Sequence, residues 1–258
     1  MYEPRLYRGD MNRERFRFFR SVHHESDLLT GVPHQRYDPG MEDVVMSELI
    51  RLRKILLDYA KLDPRFLSSL DPIDLTEPAP GPTPGLPVAG EIRTMIACGH
   101  LTGTGPMAAV AGLFAQHVGE RILDAYGEME VVVENGGDLY LHNLTDLFSV
   151  IHAGSSELSD LMGFVLPPGE WGICTSSGTM GHSFSRGRAD AVTVVSSSAP
   201  LADSWATAIA NRVTGENDLE QVLEEVAGIP DIVGCAVIVA NRIGIRGDLE
   251  VKPLSSQV

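Results

Sequence analysis

Cysteine is scarce in this chain. There are three in 258 residues, Cys98, Cys174 and Cys235, and none sits in a CxxC pair. An odd, scattered set fits buried thiols in a reducing compartment and argues against a disulfide framework or a thiolate zinc site. Long apolar runs are lacking too. The longest, residues 107–115 and 233–240, reach nine and eight residues with their glycines counted, whereas a helix crossing a bilayer needs about 20. The first ten residues, MYEPRLYRGD, contain no apolar stretch to serve as a signal peptide. The expectation is a cytoplasmic protein with no membrane partner. Positive charge is also in deficit, with 20 Lys and Arg against 35 Asp and Glu and a net charge of −15. Such a field repels phosphate backbones and argues against nucleic acid as a partner. A single phosphorylated ligand would need local help from a cation or a helix end.

What is present suffices for a core. Hydrophobic residues make up 43% of the chain, and a chain of this size buries roughly 70% of its unfolded surface. The charge is uneven: residues 1–36 hold seven Arg against five acids, so the rest is strongly acidic. Within that arm, Arg15-Phe16-Arg17-Phe18-Phe19-Arg20 nearly alternates, which predicts a strand with one wet face and a short return strand at 27–30. Val45, Leu49, Leu52, Leu56 and Tyr59 recur at helical spacing and predict a helix over 41–62. Asp63-Pro64 then reads as the start of a short helix to about residue 70. Six prolines in residues 71–90 mark a linker or surface loop. It divides an N-terminal part (1–70) from a Gly- and Ala-rich part (91–258), the two packing as one globule.

From residue 91 the pattern of strand, glycine turn, helix and strand runs twice. The first unit is a strand at 92–98, a loop at 100–105, a helix at 106–125, and strands at 130–134 and 139–142. The second is a strand at 191–196, helices at 201–213 and 218–227, and strands near 235–240 and 244–246. Aligning AAVAG (108–112) with ATAIAN (206–211) superimposes the two units. The fold class expected is α+β, a duplicated strand-helix-strand core with an N-terminal strand and helix extension.

Four constellations are candidates for chemistry. Asp203 and Thr207 stand at i and i+4 on a predicted helix, so a carboxylate and a hydroxyl share one face. That is an all-oxygen pair of the kind Mg²⁺ prefers; equally, an acid near a helix N-terminus is favoured by the dipole alone. Asn135-Gly136-Gly137-Asp138 reads as a hairpin turn, whose paired glycines also allow a ligand ring or phosphate close to the backbone. The run 175–188 holds six hydroxyl residues, three glycines, His182, Arg186 and Arg188. It offers N–H groups and guanidinium groups to an anion, and His182 is its titrating group. Gly103-Thr104-Gly105-Pro106 opens a helix whose first N–H groups suit an anion, but it lacks the Lys of an ATP-binding P-loop.

Taken in order, these motifs resemble the ApbE-like superfamily, the FAD:protein FMN transferases, and more closely a shorter branch related to it. The resemblance covers about residues 90–215. Its most specific part, ADSWATA (202–208), is similar to the family's metal-binding helix motif. The resemblance implies Mg²⁺ held by Asp203, Thr207 and the backbone carbonyl of Ala108. It implies FAD or FMN held near Gly136, Gly137 and Asp138, near Ser177, Gly178 and Thr179, and by Arg186 and Arg188. It makes His182 the catalytic base and a protein hydroxyl the acceptor. After His182 the chain reads Ser-Phe-Ser-Arg-Gly, where the family continues with Asp-Pro and then Thr-Gly. A Mg²⁺-linked flavin-nucleotide enzyme is the first functional class expected. A non-catalytic nucleotide-binding module and a complex-forming protein without a ligand are the others. The small-residue helices and the Phe/Arg strand are compatible with a homodimer.

Overall fold

The computed structural model describes residues 11–76, 88–177 and 187–254. The arginine and phenylalanine arm forms a hairpin of β1 (Phe16–His23) and β2 (Ser26–Pro33). Helices α1 (Gly40–Leu62), α2 (Arg65–Ser68), α3 (Gly90–Thr102) and α4 (Val110–Tyr126) follow. Strands β3 (Val131–Asn135), β4 (Asp138–Asn143), β5 (Leu147–Val150), β6 (Met162–Leu166), β7 (Gly169–Ser176) and β8 (Ala191–Ser196) come next. The chain then forms α5 (Ala199–Arg212), α6 (Leu219–Val226), β9 (Gly234–Val239), β10 (Arg242–Gly247) and β11 (Glu250–Pro253). Eight strands make one antiparallel sheet in the order β1-β2-β3-β4-β7-β8-β9-β10, and β11-β6-β5 make a second. The fold is α+β, as the sequence implied.

Strand alternation sorts the core into layers. Val131, Val133 and Tyr140 face α1, α3 and α4. Cys174, Val192, Val194, Cys235 and Val237 face α5 and α6. The intervening residues Val132, Leu141, Ile173, Ala191, Val195, Ala236 and Ile238 face the small sheet, against Phe164 and Leu166. Both faces of β8 and β9 are therefore covered, which is why every residue of these strands is buried. The five apolar residues predicted along α1 are all buried against the same helical layer. Because β2 pairs with β3, the N-terminal hairpin extends the same sheet as the later strands.

Three local expectations are corrected. Residues 92–98 are helix, not strand: Ile92, Met95, Ile96 and Gly99 are buried at i, i+3, i+4 and i+7, the spacing of a helical face. The helix runs on through Thr102, so only residues 103–105 remain of the predicted loop before a 3₁₀ turn at Pro106–Ala109. The repeated order accordingly survives as helix followed by hairpin, α4 with β3–β4 and α5–α6 with β9–β10. β1 also lacks a uniformly wet face. Phe18 and Phe19 are adjacent and point to opposite sides, Phe19 into the helical core and Phe16 and Phe18 toward the small sheet. Arg17 shields its side by stacking 3.6 Å over the Tyr37 ring.

The three cysteines are buried and free, as expected. Burial pushes the Cys98 thiol up to about 12, with the Asp203 charge adding to it, and burial alone does the same for Cys235. Thiolates are the reactive form. A disulfide reagent at pH 8 should therefore leave the native protein unlabelled and titrate three thiols per chain in denaturant; prompt labelling of the native chain would contradict this burial. Among the described residues, no helix is long and apolar enough to cross a membrane.

Candidate functional site

The N-terminal halves of α4 and α5 lie side by side over the sheet, and Gly112 sets how close they come. A Cβ there would collide with the Ala199 carbonyl group and stand 3.0 Å from Asp203 Cβ. This approach lets Asp203, in the second turn of α5, reach the open end of α4. Its Oδ2 accepts the Gly112 backbone N–H at 2.9 Å, and the Ala111 N–H also bonds to the carboxyl. In return, the Gln116 side chain of α4 accepts the Ala199 N–H, the first of α5, at 2.9 Å. The dipole explanation for Asp203 thus holds in altered form: it caps the neighbouring helix rather than its own.

The β3–β4 turn meets the same point. Gly136 and Gly137 form a two-residue hairpin loop with φ of +74° and +103°, positive at both positions, a conformation that favours glycine. Asn135 Nδ2 donates to the Ala111 carbonyl, at 3.2 Å, tying the turn to α4. Asp138, just after the turn, is buried and pairs across the sheet with Cys174. The Cys174 sulfur lies 3.4 Å from the Ala199 carbonyl, so β7 and the start of α5 close the cluster from the other side.

Two carboxyl groups are thereby buried together. Burial raises Asp203 to about 7, against the opposing pull of the Gly112 and Ala111 N–H groups. Burial likewise raises Asp138 well above the ordinary carboxylate range. The charges of Asp203 and Glu134 add to it, while the Cys174 thiol and the Thr175 N–H oppose it. No Lys, Arg or His among the described residues forms an ion pair with either acid. Two buried acids without a cation are costly to ionise, and a bound divalent ion would remove that cost. Thr207 is on α5 one turn after Asp203 and half-buried. Ala108 is half-buried in the 3₁₀ turn that packs on α5. A carboxylate, a hydroxyl and a carbonyl are oxygen donors of the kind a hard cation such as Mg²⁺ prefers. Among the described residues, no three His, Cys, Asp or Glu side chains are grouped so as to hold a metal ion.

The structure therefore ties the Asn135–Asp138 turn to α4 through Asn135 and sets the buried Asp138 within reach of the Asp203 charge, while Thr207 lies one turn further along α5 and Ala108 in the 3₁₀ turn before α4. Ser177 is half-buried where the chain leaves β7, and Arg188 is exposed, its N–H bonded to the Val213 carbonyl at 2.7 Å. His182, Gly178, Thr179 and Arg186 lie outside the described residues. Sequence reading missed Gly112, Cys174 and Glu134. Gly112 carried a signal, as the glycine within AAVAG where two small-residue helices were aligned; Cys174 and Glu134 carried none.

A family model described as AbpE bacteria matches residues 8–228. A UPF0280 protein of Methanocaldococcus jannaschii is 33% identical over 232 residues, covering 87% of this chain and 88% of the relative. A UPF0280 protein of Methanothermobacter thermautotrophicus is 38% identical over 213 residues, covering 81% and 77%. Two solved structures share the fold. The flavinyl transferase ApbE of Pseudomonas stutzeri superposes with a TM-score of 0.57 at 15% identity, over 90% of this chain and 93% of that one. The ApbE protein of Thermotoga maritima gives 0.55 at 13% identity, over 90% and 97%.

Proposed function

Since the chain belongs to the AbpE bacteria family, we propose that it is a divalent-cation-dependent flavin-nucleotide enzyme acting on the pyrophosphate of FAD. The observation that carries this reading is the placement of Asp203 at the N-terminus of α4, on one helical face with Thr207 and beside the buried Asp138. Such a cluster, once ionised, is relieved by a cation, and a cation there gives an otherwise acidic protein its means of holding a phosphate group. The fold shared with the Pseudomonas stutzeri flavinyl transferase favours a flavin nucleotide over other pyrophosphates.

Asp203, Thr207 and the Ala108 carbonyl would hold the cation, which supplies charge stabilisation as the anhydride breaks. The chain's own groups do the rest. The Gly112 and Ala111 N–H groups fix the Asp203 carboxylate in one orientation. The double-glycine turn supplies a side-chain-free surface beside them. The oxygen of an acceptor hydroxyl, on a protein or in water, forms a bond to the FMN-side phosphorus as the bridging P–O bond breaks. AMP leaves with the bridging oxygen, and His182 is the residue assigned to take the acceptor's proton.

The test is incubation of the purified protein with FAD, with and without Mg²⁺, followed by separation of the nucleotides. Mg²⁺-dependent appearance of AMP, together with FMN free or protein-bound, is the expected result, and His182→Ala should slow it by about 10²–10⁴-fold. Tight flavin binding with no AMP released would reduce the protein to a binding module. No flavin or Mg²⁺ binding at all would remove the reading.

A further inference from the structure

The double-glycine turn was open to two occupants, a phosphate or a flat ring, and the residues beneath it decide between them. Glu134, the next-to-last residue of β3, is fully buried. Its Oε1 accepts the Gly137 backbone N–H at 2.9 Å. That N–H is one of the donors a phosphate-binding turn would present to its ligand, and here it is turned inward onto a carboxylate. The two side chains that flank the glycines are held as well. Asn135 is tied to the Ala111 carbonyl, and Asp138 is buried opposite Cys174. What the turn exposes is Gly136, with no side chain and a positive φ. An anion seated there would lie against two buried acids, Glu134 and Asp138, with the Gly137 N–H already taken by Glu134. An uncharged ring lying on the peptide plane meets none of that repulsion and needs the close approach that paired glycines allow.

We propose that Glu134 is a positioning residue that fixes the double-glycine turn for an uncharged ring and excludes phosphate from it. On the flavin-nucleotide reading, on which this rests, the turn takes the isoalloxazine ring. The phosphates then sit on the other side of Asp138, at the helix end that carries Asp203. Glu134 touches neither; it acts through the backbone of Gly137. Burial raises both Asp27 and Asp138, and the Glu134 charge adds to each.

The experiment separates ring from phosphate with two half-ligands. Riboflavin carries the ring without phosphate, and ADP carries the phosphates without the ring. Affinities for both, with Mg²⁺ present, are measured for the wild type, Glu134→Ala and Glu134→Gln. Glutamine keeps an acceptor for the Gly137 N–H and removes the charge; alanine removes both. Alanine is expected to weaken riboflavin by about 10- to 100-fold, the scale of a lost bond to a charged acceptor, while ADP changes less than about threefold. Glutamine is expected to keep riboflavin within about threefold. It should also make riboflavin binding sensitive to inorganic phosphate at constant ionic strength, to which the wild type is indifferent. This last readout stands even if Glu134→Ala fails to fold. Equal losses for riboflavin and ADP, or phosphate competition already in the wild type, overturn the assignment. So does a wild type that binds ADP but not riboflavin. A wild type that binds neither half-ligand overturns the flavin-nucleotide reading as well.

Discussion

Replacing Asp203 by asparagine should lower Mg²⁺-dependent FAD affinity by at least about a hundredfold while raising the thermal stability of the Mg²⁺-free protein. The two effects have opposite signs and one cause. Asparagine keeps an oxygen to accept the Gly112 N–H, so the cap on α4 survives. It removes the one charged member of the proposed donor set, and a unit charge close to a cation is worth several kcal/mol even at an effective dielectric of about 20. Without a cation, that same charge is a liability. The folded-state value is about 7 against an unfolded value of about 3.9, so the folded protein holds the proton longer than the unfolded chain. Stability is therefore greatest below about pH 4 as far as this group is concerned. It is lost as pH rises from about 4 to about 7, by up to about 4 kcal/mol, and stays lost above that. Asp138 is shifted in the same direction and adds to the loss. Binding Mg²⁺ requires the ionised form, so its affinity should climb with pH to about 7 and then level off. Melting temperatures at pH 5 and 8, with and without Mg²⁺, read all of this. The wild type should gain from Mg²⁺ chiefly at pH 8. Asp203→Asn should start higher there by several degrees, since about 1 kcal/mol moves a chain of this size by roughly 2–4 °C, and should gain nothing. If asparagine lowers the melting temperature equally in every condition, Asp203 is a helix cap and nothing more.

That outcome turns on a geometry only partly legible in the sequence. Periodicity located α1 because Val45, Leu49, Leu52, Leu56 and Tyr59 form an unbroken apolar stripe. It located β8, where consecutive β-branched residues leave little choice. The helical spacing of Ile92, Met95, Ile96 and Gly99 was equally present, but the segment is short and glycine-terminated, and its rows of apolar residues also suit a strand. β7 was invisible for a different reason. Gly169-Glu170-Trp171-Gly172-Ile173-Cys174 is broken up by two glycines and a glutamate, and glycine at 172 is there because Ala199 of α5 packs directly on its backbone. A local pattern carries no record of such a tertiary demand. For the site, sequence spacing put Asp203 and Thr207 on one helical face and marked the double glycine as a turn. It had no means of showing that the carboxylate reaches across to α4, because that bond joins residues 91 positions apart. The burial of Asp138 beside it depends on the same long-range packing.

Gly112 is where that packing is most exposed to a single change, and Gly112→Ala should destabilise the protein by about 2 kcal/mol or more. The sign has to be argued, because alanine in a helix ordinarily gains about 1 kcal/mol over glycine. Here the added methyl would overlap the Ala199 carbonyl oxygen and stand only 2.6 Å from its carbon. Both are backbone atoms of a helix packed on the sheet, not the tip of a side chain that can swing away. Relief requires α5 to move off α4, and overpacking of this kind costs roughly 1–3 kcal/mol, occasionally more. The Asp203 bond to the Gly112 N–H lengthens in the same movement, so cation affinity should fall along with stability. Gly90→Ala is the internal control. It is also a helical glycine, at the start of α3, with nothing within 4 Å of the place a methyl would take. It should be neutral or stabilise by up to about 1 kcal/mol. Urea unfolding of the two variants, compared at equal slopes, decides the matter. If Gly112→Ala unfolds at the same urea concentration as Gly90→Ala, the helices are not locked together at Gly112. The cation site would then have to be held in shape by something other than their contact.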